Sequence, residues 1–234
     1  MKKALQAMSF WHLFPAAAYG LFYLLWFDYL EEMPQREYIM LGNSLDASIP
    51  FLEVFVVPYL SWFFFMLFWG ILLNFTDRDA YDRMITMCMI GMTLFLIVST
   101  IVPTALDLRP HYIGRYNVFT RMCRSLWTID TPTNVWPSIH VFNTAAISVS
   151  VLRSKFFENA NLTRRAFLVI WAALIILSTV FIKQHSLLDV LAGGILAVVA
   201  TLIVWDLNYV ARFRRWDAFV ARRLAARAKK RTVL

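Results

Sequence analysis

Apolar residues in this chain come in long runs, not in the short alternations of a soluble core. Six such runs can be marked: about Phe10 to Leu30, Phe51 to Asn74, Ile85 to Val102, Ser138 to Leu152, Ala166 to Ile182, and Leu187 to Leu207. Roughly 20 apolar residues are what a helix needs to cross a hydrocarbon layer of about 30 Å. The pattern predicts an all-α fold, a polytopic bundle of six transmembrane helices formed by residues 1–211 as one domain. The first run is too long and too aromatic for a signal peptide, and no small-residue cleavage site follows it. The fourth is the least apolar, since it holds Asn143, Thr144, Ser148 and Ser150. Small polar groups of this kind predict packing against other helices instead of lipid.

Composition agrees. Of 234 residues, 60% are hydrophobic and 16% charged, and the mean hydropathy is +0.59. A soluble helical domain of this length would carry more charge and shorter apolar runs. Cys88 lies inside an apolar run and Cys123 in a polar connection, which predicts no disulfide. Neither has a Cys or His at ligand spacing, so no structural metal and no cofactor are expected.

Charge supplies orientation. With the N-terminus in the cytoplasm, the inside segments hold seventeen Lys and Arg and the outside segments six. The positive-inside tendency then places both termini in the cytoplasm; the expected location is a bacterial cell membrane. The tail, residues 212–234, is basic, with Phe213, Trp216, Phe219, Val220 and Leu224 at roughly helical spacing. It reads as an amphipathic helix on the anionic inner leaflet, with a plain topology signal as the simpler alternative. Nucleic-acid binding is the weaker explanation, because the preceding span already tethers the tail to the bilayer. Four of the six outside cations, Arg109, Arg115, Arg121 and Arg124, crowd into one connection. Positive charge on the wrong side calls for a local reason, such as an anionic ligand. The connection from about Glu31 to Pro50 is mildly acidic and could form a lid or an interfacial helix.

In this topology the unusual polar residues gather at the extracytoplasmic rim. Ionisable groups at membrane depth are costly and mark candidate sites. His185 and Asp189 are four residues apart, a spacing that would place them on one helical face. A carboxylate there could fix the imidazole tautomer and leave the other nitrogen as nucleophile or base. His140 follows Ser138 and Ile139 at a helix start, where free N–H groups favour a bound anion. Arg109 and Lys183 could supply charge to phosphate oxygens; for Lys183 the alternative is a lysine snorkelling to the interface. Arg115, Arg121 and Arg124 read mainly as solvated, and Tyr112, Tyr116, Trp127 and Trp136 as an interfacial aromatic belt. Asp107 and Asp130 are read as possible ion-pair partners of the arginines, outside the chemistry. Two His, an Asp and two cations on one face describe phosphoryl transfer without a metal.

These residues resemble the type-2 phosphatidic acid phosphatase superfamily, whose motifs are K-x6-R-P, P-S-G-H and S-R-x5-H-x3-D. The second motif is present as Pro137-Ser138-Ile139-His140, with Ile in the usual Gly position. The third is present as Ser178-Thr179, five residues, His185, three residues, Asp189, with Thr179 in place of Arg. The first keeps Arg109-Pro110 but has Val102 at the Lys position. The resemblance spans about Thr104 to Asp189. It implies that His185 attacks phosphorus, Asp189 orients it, and His140 protonates the leaving oxygen and then activates water or an alcohol. Arg109, Ser138 and the backbone of Ile139 would bind phosphate oxygens. Lys183, four residues after Thr179, could replace the lost Arg. The string STVFIKQH also resembles the inositol-phosphorylceramide synthase-like branch, whose members move phospho-headgroups between lipids.

The expected activity is hydrolysis of a lipid phosphomonoester or pyrophosphate through a phosphohistidine. The expected partners are a membrane lipid substrate and the bilayer. Headgroup transfer to an alcohol is the alternative, and a non-catalytic transporter or scaffold on the same fold is a third reading, motivated by the altered motifs.

Overall fold

The computed structural model describes residues 13–33 and 37–207. The start of the first apolar run and the basic tail 212–234 lie outside the described residues. Helix α1 (Phe14–Glu32) opens with Pro15 in its first turn. It is followed by strand β1 (Ile39–Leu41), the short helix α2 (Ser44–Ser48) and a 3-10 turn (Glu53–Phe55) that leads into α3 (Val56–Thr76). Helix α4 (Arg78–Ile101) and strand β2 (Thr104–Leu106) come next, then α5 (Val118–Ile129), α6 (Ile139–Leu152) and α7 (Lys155–Glu158). Helix α8 (Leu162–Phe181) and α9 (Leu187–Thr201) follow, and α9 ends in a π turn (Leu202–Asp206).

Among the described residues, four helical stretches are long and apolar enough to cross a membrane: Glu53–Thr76, Arg78–Ile101, Leu162–Phe181 and Leu187–Asp206. The chain is therefore an integral membrane protein. The remaining two expected runs are helical as well, but α6 has only 14 residues, roughly 21 Å of rise, and α1 carries Asp28, Glu31 and Glu32 near its end. Outward stripes are apolar, with Phe63, Phe64 and Leu67 on α3, Phe167 and Ile170 on α8, and Leu191, Ile195 and Val198 on α9. Such surfaces suit hydrocarbon as the solvent.

Helix α6 occupies the middle, in contact with α3, α4, α8 and α9. Its Asn143, Thr144 and Ser150 are fully buried, so the small polar positions do meet other helices. Helix α4 comes close at Gly91, where an added Cβ would lie 2.0 Å from the Phe142 ring. At one end, the charged turn between α3 and α4 shrinks to a single residue. Asp77 accepts from Ala80 N–H at 3.3 Å and from Lys155 N–H at 2.7 Å, so it caps α4 and ties α7 to the turn.

The opposite end carries the two strands. β1 and β2 pair in parallel, Ile39 against Thr104 through Leu41 against Leu106, and Ala105 bridges to Thr133. This pair departs from the all-α expectation, because strands of three residues are too short to leave a period-two pattern. It joins the connections that follow α1 and α4 to the segment entering α6.

Candidate active site

The loop between α8 and α9 is built by two helix ends. Thr179 O accepts the N–H groups of both Gln184 and His185, at 2.9 and 3.0 Å. Lys183 turns the chain with φ of 60°, a left-handed conformation that costs a non-glycine residue on the order of 1–2 kcal/mol. Ser186 then caps α9. Its Oγ accepts from Asp189 N–H at 3.2 Å, and Asp189 Oδ2 accepts from Ser186 N–H at 2.7 Å, a reciprocal capping box. The expected shared helical face is therefore corrected. His185 lies outside the helix, because Ser186 is the better N-cap, and His185 meets Asp189 across the cap. Its Nδ1 lies 3.6 Å from Asp189 Oδ2. Neither that nitrogen nor Asp189 Oδ1 has a hydrogen-bond partner.

The second histidine is placed by the start of α6. Ser138 is the N-cap, its Oγ accepting from Val141 N–H at 3.4 Å, while its own N–H donates to Asp189 O at 3.2 Å. The starts of α6 and α9 can approach this closely because residue 193 is glycine. A Cβ there would lie 2.5 Å from Ser138 O. His140, in the first turn, rests against the rings of Tyr59 and Trp62, with centroids 4.5 and 4.3 Å away. Its Nδ1 lies 3.4 Å from His185 Nε2. The pair thus forms a row from Asp189 through His185 to His140. Both rings are buried, His140 8% and His185 6% exposed.

Both imidazoles line a small cavity, about 40 Å³, together with the apolar Phe27, Phe95, Val135 and Ile139 and the polar Asp130, Thr131, Thr133, Asn134 and Gln184. Arg109 is outside this lining but bonds two of its members. Its guanidinium donates to Gln184 Oε1, to Asp130 O at 2.6 Å and to Trp127 O at 3.2 Å, and lies 5.5 Å from the Trp127 ring centroid. Burial pulls the Arg109 guanidinium below its usual range, with nearby Asp130 as the main opposing influence. Gln184 Nε2 and Tyr59 OH both donate to Asp130 Oδ2, at 2.6 and 2.7 Å. Asp130 thus meets Arg109 through its backbone and spends its carboxylate on neutral donors.

Lys183 does not join this group. Its ammonium donates to Asp46 O at 2.7 Å and Ile49 O at 2.6 Å, and it does not line the cavity. Helix α8 ends before Lys183, so the expected alignment with Thr179 is broken, and Thr179 itself bonds Ile176 O. The other crowded arginines are exposed, Arg115 paired with Glu53 at 2.8 Å. Among the described residues, no three His, Cys, Asp or Glu side chains cluster as metal ligands would.

Several residues that shape the site escape a reading by motif. Glu31, at the end of α1, accepts from Thr131, from Thr133 at 3.2 Å and from Asn134 at 2.8 Å. Asp46 accepts from Leu187 N–H at 2.7 Å, so the first connection grips the start of α9. Asn43 and Asp46 form a capping box, the one local signal that could have pointed to Asp46.

The PAP2 superfamily profile matches residues 89–213, more than half of the chain. The chain belongs to the PAP2 superfamily. Members of this superfamily are typically membrane phosphatases and phosphotransferases, and both histidines, Asp189 and Arg109 fall inside the matched span. No curated protein and no solved structure matches the chain.

Proposed function

We propose that this PAP2 superfamily member is a lipid phosphatase that works through a phosphohistidine on His185. The supporting observation is the row Asp189, His185, His140, with His185 Nε2 the nitrogen directed at His140 and Nδ1 the one nearest Asp189. Asp189 favours the tautomer with the proton on Nδ1, which leaves the Nε2 lone pair free. Nε2 attacks phosphorus, the P–O bond to the lipid breaks, and protonated His140 gives its proton to the leaving oxygen. The phosphorylated ring is then cationic, with its Nδ1–H beside Asp189. Neutral His140 next takes a proton from water, whose oxygen attacks phosphorus. The N–P bond breaks, phosphate leaves, and both rings return to their starting charge.

The walls of the cavity suit a molecule with an apolar tail and a phosphate at the interface. Phosphate oxygens are assigned to the first turn of α6, where Ser138 and Ile139 begin a helix, and to Arg109 acting through Gln184. Six spans, both termini in the cytoplasm and an extracytoplasmic site follow from the positive-inside count and the grouping of site residues at one end of the bundle. Residues 1–211 form the membrane domain, and 212–234 a tail on the inner leaflet. The second reading, transfer of a phospho-headgroup to an alcohol, is favoured by the altered cation positions, Val102 and Thr179, and by the STVFIKQH string.

A panel of phospholipids supplied to purified protein tests this. Free phosphate is the expected product, and His185→Ala should lower turnover by several orders of magnitude. A new phosphodiester without free phosphate would replace hydrolysis by transfer, and equal rates in wild type and His185→Ala would end the enzyme reading.

A further inference from the structure

Asn134 lines the same cavity as His140 and His185, and it is 3% exposed. Its backbone is left-handed, with φ of 53°, and its N–H donates to Thr104 O at 2.6 Å. The side-chain NH2 donates to Glu31 Oε1 at 2.8 Å. That bond fixes which way the amide faces, since the carboxylate can only accept. The amide oxygen, Oδ1, is then buried without any donor. Buried acceptors in folded proteins are nearly always satisfied, so an open one beside a reaction site calls for an explanation.

The neighbouring polar side chains are directed elsewhere. Thr131 and Thr133 both direct their hydroxyls to Glu31 or to each other. Gln184 Nε2 donates to Asp130, and its Oε1 accepts from Arg109. Among the described side chains lining the cavity, Asn134 presents the one buried oxygen left open. Ionised phosphate oxygens accept and do not donate, so the phosphate itself cannot fill this position. What fits is an O–H on the organic part of the ligand. An ammonium would suit a free carboxylate better, but Glu31 and Asp130 already spend theirs on neutral donors.

We propose that Asn134, held by Glu31, accepts a hydrogen bond from a hydroxyl of the group esterified to phosphate, so that the site takes phosphate esters of polyols. This rests on the cavity being the substrate site. It goes beyond the phosphoryl chemistry by naming what else the substrate carries.

Binding to the purified full chain in lipid nanodiscs tests this without turnover. The probes are glycerol 3-phosphate, propyl phosphate and phosphoethanolamine, read by calorimetry on wild type and on His185→Ala. Glycerol 3-phosphate should bind about tenfold more tightly than propyl phosphate, the scale of one hydrogen bond to an otherwise unpaired buried group. Asn134→Ala should bind both equally. Should that variant fail to fold, wild-type turnover of glycerol 3-phosphate against propyl phosphate carries the same comparison, with preference for the former expected. Equal binding by wild type, a preference that survives in Asn134→Ala, or tightest binding of phosphoethanolamine would each overturn the proposal. So would free glycerol tightening propyl phosphate to the same degree, which would assign the hydroxyl to a separate acceptor alcohol. A hydroxyl preference without turnover of any lipid would keep this proposal and remove the phosphatase reading; turnover without the preference would do the reverse.

Discussion

His185 Nε2 and His140 Nδ1 face each other at 3.4 Å. At that distance a phosphorus atom cannot lie between them, so the proposed mechanism requires the rings to part when substrate binds. The two roles can be separated with a substrate whose leaving group needs no proton, such as a nitrophenyl phosphate. His140→Ala should then still form the phosphoenzyme but lose it slowly, because water has no base. Phosphate label should accumulate, stable to base and labile to acid. His185→Ala should take no label. Labelling of His185→Ala at the wild-type level would remove the assigned nucleophile.

Asp189→Asn is a sharper probe than removal of Asp189. The same oxygen, Oδ2, accepts from Ser186 N–H and lies nearest His185 Nδ1, so an Asn that keeps the cap still presents an oxygen to Nδ1, without the charge. The α9 cap, the fold and the ring tautomer should persist, while the cationic phosphohistidine loses the carboxylate beside it. The expected loss in kcat is about 10²-fold, the scale of an opposite charge removed from beside an ionised group, with the melting temperature close to wild type. A kcat equal to wild type would mean that Asp189 serves only the cap.

The spacing of Ser178, His185 and Asp189 was legible because all three fall within one short stretch, the last turn of α8, the loop and the first turn of α9. Even there, the spacing suggested a shared helical face where the chain builds a capping box. Ser186 and Asp189 have the S-x-x-D pattern that announces it. Lys183 shows where spacing misleads. Four residues after Thr179 is one turn only if the helix continues, and it stops at Phe181. Glu31, Asp46 and Asp130 were not legible as site residues. Each acts across a long stretch of sequence on a partner that no periodicity connects to it. Six apolar runs, by contrast, could be marked because hydrocarbon leaves a composition signal that no turn chemistry is needed to read. Among the described residues, α1 and the central α6 fall short of the length and composition that signal demands.

Gly193 tests how tightly the two histidines depend on helix packing. Alanine there would place a Cβ 2.5 Å from Ser138 O, and a backbone carbonyl cannot rotate away as a side chain could. The starts of α6 and α9 would separate, and His140 would move from His185 by a fraction of an ångström to an ångström. A displacement of that size costs on the order of 10²-fold in rate. Gly194→Ala is the control, since a Cβ at that position meets nothing within 4 Å. Activity should fall in the first variant and hold in the second; equal activity in both would show that the approach at Gly193 does not set the site.

Lys183→Met should act on stability more than on chemistry. The ammonium holds two carbonyls of the Asp46–Ile49 segment, and methionine of similar length would leave both without that donor. Hydrogen bonds from a charged group contribute about 1.5–3 kcal/mol each at most, so loss of the two should lower the melting temperature by up to about 20 °C while turnover survives. Burial also holds the Lys183 pKa below its ordinary value of 10.5, with Asp46 pushing the other way. The folded protein therefore binds this proton less tightly than the unfolded chain does. Where the unfolded state holds more protons, stability rises with pH. The advantage of wild type over Lys183→Met should therefore grow as pH climbs from the depressed value toward 10.5, and level off above it. The difference in melting temperature between the two proteins, followed across that alkaline window, checks the sign. An advantage that shrinks with rising pH would mean that Asp46 outweighs burial at Lys183.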